Sequence, residues 1–360
     1  MKKLFLTLTM LVSGSVFAAE EPVLNVFNWQ DYFAPGTLEQ FTKETGIKVK
    51  WDQFDSNESF QAKILTGHSG YDVVFPAAAF VQKQIQANVY YKLDKTQLPN
   101  LKNLDPKIMT LLSSMDPGNE YTVPYAQGTS LISYNPEKVK KILGNDMPSN
   151  PLDLIFDPKY AGKLSSCGIS FFDSASEVYG FALSYMGKDL SSATDADIDK
   201  ATEMMKKVRP YVRKFVGIPL NELSSGEFCL AMDYSGSTNG ANDFAQAAKN
   251  NVKISFFYPK GKIPFTIDLM AIPRDAKHPS NALKFINFIL RPDVIAKLTN
   301  FRYYSTANLA AKSLVLPRIQ KNPSVFPSND EISRFSLTKT LEPNRQRKLM
   351  SAFNAFKTSK

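Results

Sequence analysis

Val23-Leu-Asn-Val-Phe-Asn28, Gly36 to Thr45, Ile47 to Asp52, a stretch opened by Asn57, and Asp72-Val-Val-Phe75 follow one another with short connections, and their order decides the fold. The first, third and fifth segments carry alternating or continuous apolar residues and read as strands. Gly36 to Thr45 reads as a helix stopped by Gly46; Asn57 reads as the cap of a second helix with Phe60, Ile64 and Leu65 on one side, ending at Gly67. Pro76 halts the last strand. Strand, helix, strand, helix, strand with short loops predicts an α/β chain with a parallel, doubly wound sheet. Such sheets bind ligands beyond the carboxyl ends of their strands.

At one such end stand Trp29, Asp31 and Tyr32, in Val-Phe-Asn-Trp-Gln-Asp-Tyr-Phe-Ala-Pro from Val26 to Pro35. An indole and a phenol offer negative π-faces to an ammonium, and a carboxylate accepts its protons in charge-assisted hydrogen bonds. The competing reading is ordinary: aromatics near a strand end pack in cores, and an Asp before a helix caps it. The strand-end position favours the ligand reading.

Lys2 and Lys3 precede an apolar run from Leu4 to Val12, then Gly14 and small residues to Ala18. This pattern predicts a signal peptide over residues 1–18, cleaved after Ala18, and hence an exported, soluble protein with no lipid-anchoring cysteine at the junction. The remaining chain of about 340 residues exceeds one ordinary core, so two domains are expected. The net charge of +9 is diffuse apart from Arg345, Arg347 and Lys348, which read as a solvated helix face. No basic run interleaves with aromatics as a nucleic-acid groove requires.

Cys167 and Cys229 are the two cysteines, and an oxidising compartment favours one disulfide; two buried free thiols are the alternative. His68 and His278, the two histidines, show no ligand spacing with each other or with the cysteines, so no metal site is expected. From Glu120 to Asn135 two extended runs broken at Gln127-Gly128 suggest a crossing between lobes. A second αβ region runs from Pro136 to about Ser255 and includes an acidic patch at Thr194 to Asp199. Strands are expected at Ile254 to Tyr258 and Phe265 to Ile272, and a helix from Asn281 to Leu290. Asp268 interrupts the apolar strand Phe265-Thr-Ile-Asp-Leu-Met-Ala-Ile272; a buried carboxylate there needs a partner, unless a strand edge lets it reach water.

Phe27-Asn-Trp-Gln-Asp-Tyr-Phe-Ala-Pro35, Lys43-Glu-Thr-Gly-Ile-Lys-Val49, Phe54-Asp-Ser-Asn-Glu58, Val123-Pro-Tyr125, Ser166-Cys-Gly168 and Leu290-Arg-Pro-Asp293 agree in order and spacing with one family. Over nearly the whole mature length the chain resembles the periplasmic polyamine-binding proteins of ABC transporters. The resemblance implies a type II periplasmic-binding fold: two αβ lobes, each a doubly wound, mainly parallel sheet, closing on a ligand in the cleft between them. Lobe I would comprise residues 19–125 with 258–325, and lobe II 126–257 with 326–360. It also implies a periplasmic location, permease subunits as partners, a monomer, and no cofactor or nucleic acid.

Carried over position by position, Trp29 and Tyr32 would sandwich the aliphatic chain, with Gln30 beside them. Asp31 and Asp268 would grip one ammonium, and Glu177 another from the second lobe; on sequence alone Glu177 reads as an exposed helix-start acid. Tyr304 corresponds to a cleft aromatic, and Tyr234 stands where the family has a Trp. Cys167 and Cys229 match the paired cysteines of putrescine-binding members. Three positions depart from the putrescine pattern: Ser237 replaces a second-lobe Asp, Ala79 a polar or phenolic group, and Thr266 an aromatic. The implied pocket is roomier and less acidic, which favours spermidine over putrescine. Another cationic or zwitterionic solute is the alternative, its carboxylate received by Ser235-Gly-Ser-Thr-Asn-Gly240 at a helix start. An exported hydrolase is the remote one, since the chain has no Gly-x-Ser-x-Gly elbow, phosphate loop or metal spacing.

Overall fold

The computed structural model describes residues 20–30, 32–337 and 341–359; the expected signal peptide and Asp31 lie outside the described residues. Its strands are β1 (Val23–Trp29), β2 (Lys48–Phe54), β3 (Val73–Val74), β4 (Thr122–Tyr134), β5 (Ile169–Phe172), β6 (Lys214–Val216), β7 (Leu230–Tyr234), β8 (Ser255–Phe257), β9 (Ile263–Ala271) and β10 (Phe335–Leu337). They connect in the order β2-β1-β3-β9-β4-β7-β5-β6, with β8 also on β4 and β10 on β9.

Pairing is parallel in the two wings, where β1 joins β2 and β3, and β5 joins β6 and β7. It is antiparallel in the middle, where β4 meets β7, β8 and β9. Helices provide the crossovers in each wing, as parallel pairing demands. Each wing has its own apolar core. One gathers Leu24, Val26, Phe41, Phe75, Met270 and Phe285; the other gathers Phe171, Phe181, Met205, Met232, Phe353 and Phe356. The fold is therefore two-lobed α/β.

The sequence reading of the first strands and helices holds to within two residues, with local corrections. Ser56, not Asn57, caps the helix Asn57–Ile64: its hydroxyl accepts the Ser59 N–H at 3.2 Å. That helix stops before Gly67, capped at Leu65. A larger correction concerns Gln127-Gly128, which does not break the chain into two runs. β4 is one continuous strand of 13 residues, all buried except Tyr134, and its irregularity lies instead between Pro124 and Ala126. Gly128 serves packing: a Cβ there would lie 3.0 Å from the Tyr304 ring.

Two further ties stabilise the lobes. The Cys167–Cys229 disulfide is formed, with Cα atoms 5.5 Å apart, joining the entrances to β5 and β7. In the first lobe, buried Asp72 accepts hydrogen bonds from the backbone N–H of Asn25, Lys277 and His278 at 2.8, 3.0 and 2.9 Å, and faces His278 Nδ1 at 3.0 Å. Arg345, Arg347 and Lys348 lie on the helix Pro343–Thr358, whose apolar side enters the second core; Lys348 meets Asp199 at 2.5 Å.

Candidate functional site

β1 ends at Trp29, and Tyr32 beyond it meets Tyr125 of β4 and Asp268 of β9. Asp268 sits opposite Ala126 in the β4–β9 ladder and bridges to Ala77, so it is central in the sheet and buried, without an edge to reach water. Its partner is Tyr32, whose hydroxyl donates to Asp268 Oδ2 at 3.0 Å. Burial pushes the Asp268 carboxyl up to about 7, against the lowering effect of that hydrogen bond. The Tyr32 phenol is itself held well above its usual range by burial and by the neighbouring Asp268 charge. Among the described residues its partner is a neutral phenol and no cation forms a salt bridge with it, and ionising an uncompensated buried carboxyl costs several kcal/mol.

Aromatic rings enclose this acid. The Tyr32 ring centre lies 5.1 Å from that of Tyr304 and 5.8 Å from that of Tyr125, and the Tyr125 hydroxyl donates to the Tyr32 carbonyl. Tyr304 lies against Gly128 and Gly236, where a Gly236 Cβ would stand 2.6 Å from the ring. Two glycines from different elements thus make the slot this phenol fills. Trp29 is half-buried and packs its ring on Phe54 at 4.5 Å; its indole N–H is buried with no hydrogen-bond partner. Gln30 is exposed: its backbone N–H extends the β1–β2 ladder by donating to Phe54 O at 2.9 Å.

The second lobe contributes a separate acidic end. Glu177, in the first turn of the helix Ala175–Tyr185, accepts the Ser130 hydroxyl at 2.6 Å, and the Tyr234 phenol also stabilises its charge. Burial nevertheless raises its carboxyl above the ordinary range. Glu177 is partly buried and bonded, not the exposed helix-start acid of the bare sequence reading. Tyr234 lies tilted against Phe172, ring centres 4.6 Å apart, and packs against both cores. Because Asp268 lies opposite Ala126 and Glu177 is tied to Ser130, their attachment points are about 13 Å apart along β4 at the usual strand rise.

Thr266 pairs with Gly128 between these two ends, and Ala79 is the second residue of the helix Ala78–Gln86, which starts beside the Ala77–Asp268 bridge. Ser237 lies in the first turn of the helix Ser235–Ala248, buried, its hydroxyl without a well-formed hydrogen bond. The structure thus gathers Tyr32, Asp268 and Tyr304 at one end and Glu177 with Tyr234 at the other. Sequence reasoning missed Tyr125, Ser130 and Asp233. The Val123-Pro-Tyr125 match pointed to the first of these; the other two carried no signal.

The chain matches the model of the bacterial extracellular solute-binding protein family over residues 37–327. It is 42% identical to the putrescine-binding periplasmic protein SpuD of Pseudomonas aeruginosa over 358 residues, covering 99% of this chain and 98% of SpuD. It is 40% identical to the putrescine-binding periplasmic protein PotF of Escherichia coli, covering 98% of this chain and 95% of PotF. A solved relative is the spermidine/putrescine ABC transporter substrate-binding protein PotD of Streptococcus pneumoniae: TM-score 0.76, 27% identity, 94% of this chain and 99% of that one. With the two-lobed fold and these full-length relatives in agreement, the chain belongs to the family of bacterial extracellular solute-binding proteins.

Proposed function

We propose that this protein is the periplasmic substrate-binding subunit of an ABC importer, capturing a polyamine between its lobes and presenting it to membrane permease subunits. The observation that carries the reading is the pair of acidic ends: buried Asp268 with Tyr32 in the first lobe, and Glu177 with Ser130 and Tyr234 in the second. Each carboxyl is pushed up by burial and is stabilised by an ammonium placed beside it. Aromatic rings between them suit the ligand's methylene chain. Lobe I is assigned residues 19–125 with 258–325, and lobe II 126–257 with 326–360. Asp31 is assigned to the Asp268 end, with Trp29 as a flanking wall.

The ligand stabilises the closed form only by touching both lobes at once, which makes closure the signal a permease reads. Spermidine is favoured over putrescine because Ser237 removes an acid that shortens the site; the names of SpuD and PotF make putrescine the direct competitor. Calorimetry with spermidine, putrescine, cadaverine and agmatine tests both points. Binding of none of them below millimolar refutes the function, and a tenfold preference for putrescine reverses the order.

The reading as a receptor for a zwitterion loses support from one residue. Asp233 lies directly behind the helix start at Ser235, fully buried, and its negative charge opposes a ligand carboxylate there. A hydrolase is disfavoured by the family, whose members are solute-binding proteins.

A further inference from the structure

Asp233 is a buried acid outside the two acidic ends described above. It is the penultimate residue of β7, with no exposed surface. Its Oδ1 accepts the Tyr234 N–H at 2.8 Å, and its Oδ2 accepts the hydroxyls of Ser133 at 2.8 Å and Thr238 at 3.2 Å. Every one of these partners is neutral, and among the described residues no salt bridge reaches it. Ser237 stands one helical turn further on. Its hydroxyl is close enough to lower the Asp233 carboxyl, yet makes no well-formed hydrogen bond and is buried. The Asp233 charge is felt by the phenols of Tyr234 and Tyr304, the aromatic residues on either side of the cleft. Burial without a cation holds the Asp233 carboxyl up at about 7, as it does Asp268.

A stable core has little use for a buried acid with no cation, because a strand end so placed is satisfied as well by an amide or by a small residue. A ligand cation supplies what is missing. We propose that Asp233, acting through the Ser237 hydroxyl, is a specificity-determining carboxylate that works alongside Glu177 on the ammonium at the second-lobe end of the cleft. Ser237 donates its proton towards Asp233 and turns a lone pair to the ammonium, so the charge acts from one turn back. The acid absent from position 237 is thereby displaced in depth, and the site keeps its second-lobe negative charge while gaining length. This rests on the polyamine reading above.

The test measures dissociation constants by calorimetry for putrescine, which has two ammonium groups, and for butylamine, whose single ammonium takes the Asp268 end. Asp233→Asn weakens putrescine at least tenfold and changes butylamine less than twofold, and Ser237→Asp on that background restores most of the putrescine affinity. Should Asp233→Asn fail to fold, Ser237→Ala, which leaves the Ser133 and Thr238 contacts in place, weakens putrescine about fivefold with butylamine unchanged. Putrescine binding within twofold of wild type in the folded variant overturns the proposal. Equal weakening of both amines also overturns it, by making Asp233 a purely structural group. If wild-type protein binds neither these two amines nor spermidine, cadaverine or agmatine, the polyamine reading falls and takes this one with it, an outcome distinct from the other two.

Discussion

The affinity for a polyamine should rise with pH across neutrality, and Asp268 should carry a measurable share of that rise. In the ligand-free protein burial lifts this carboxyl from 3.8 to about 7. Because its folded value is raised, the stabilisation it gives is complete below about pH 4 and is lost as pH climbs to about 7; the total loss is about 4 kcal/mol at the usual energy per pH unit. A bound ammonium reverses the preference, since it stabilises the ionised form. Alkylammonium groups stay protonated in this range, so only the protein side titrates. At pH 6 about nine in ten Asp268 carboxyls must release a proton on binding, and at pH 8 about one in ten, which gives about tenfold tighter binding at pH 8. Calorimetry at both pH values, in buffers of different ionisation enthalpy, reads the affinity and the protons released. Asp233 titrates in the same window, so the informative quantity is the difference between wild type and Asp268→Asn: the variant should lose one factor of about ten from its pH response. Tyr32→Phe removes the hydrogen bond that opposes the upward shift, and should move the midpoint to higher pH. An affinity flat between pH 6 and 8, or an Asp268→Asn slope equal to wild type, refutes the reasoning.

Three other outcomes follow from particular contacts. Gly236→Ala places a Cβ 2.5 Å from the Arg302 carbonyl oxygen and 2.6 Å from the Tyr304 ring, and should lower stability by about 1–3 kcal/mol in urea unfolding while weakening ligand binding. Replacing both cysteines by serine opens a loop with a sequence separation of 62, and chain entropy sets the loss at about 4 kcal/mol, read from the shift in denaturation midpoint. Asp72→Ala strands three backbone N–H donors and the His278 ring in the first lobe, and should cost about 3–5 kcal/mol in the same assay.

The early strands and helices were legible because local periodicity and a Gly stop at Gly46 act within ten residues. β4 was misread for an instructive reason. Gln127-Gly128 looks like a break, yet its glycine is there because Tyr304, far along the chain, lies on it. A packing requirement imposed from 176 positions away leaves a local mark identical to a turn. Asp268 was legible as an anomaly, a charge in an apolar strand, and the hydrogen bond it accepts comes from Tyr32, 236 positions away, a neutral group that leaves the charge itself uncompensated. Glu177 came forward only through family resemblance, because nothing near it foretells Ser130 or Tyr234. Asp233 stayed hidden: an acid at a strand end next to serines reads as surface, and only the three-dimensional packing makes it buried.

The continuity of β4 also constrains how the chain can acquire its structure. One edge of that strand is completed by β9 and the other by β7, and both partners lie roughly a hundred residues or more downstream of it in the chain. The first core needs Phe285 and Ile295 as well as Leu24, and the second needs Phe353 and Phe356 as well as Ile132. Each lobe is thus assembled from two separated pieces of chain, and the second stays unfinished until the last helix has emerged. A chain with such distant pairings folds slowly and late. Truncation before Pro343 should leave the second core open, and a partly synthesised chain cannot lock into its final form ahead of its own completion.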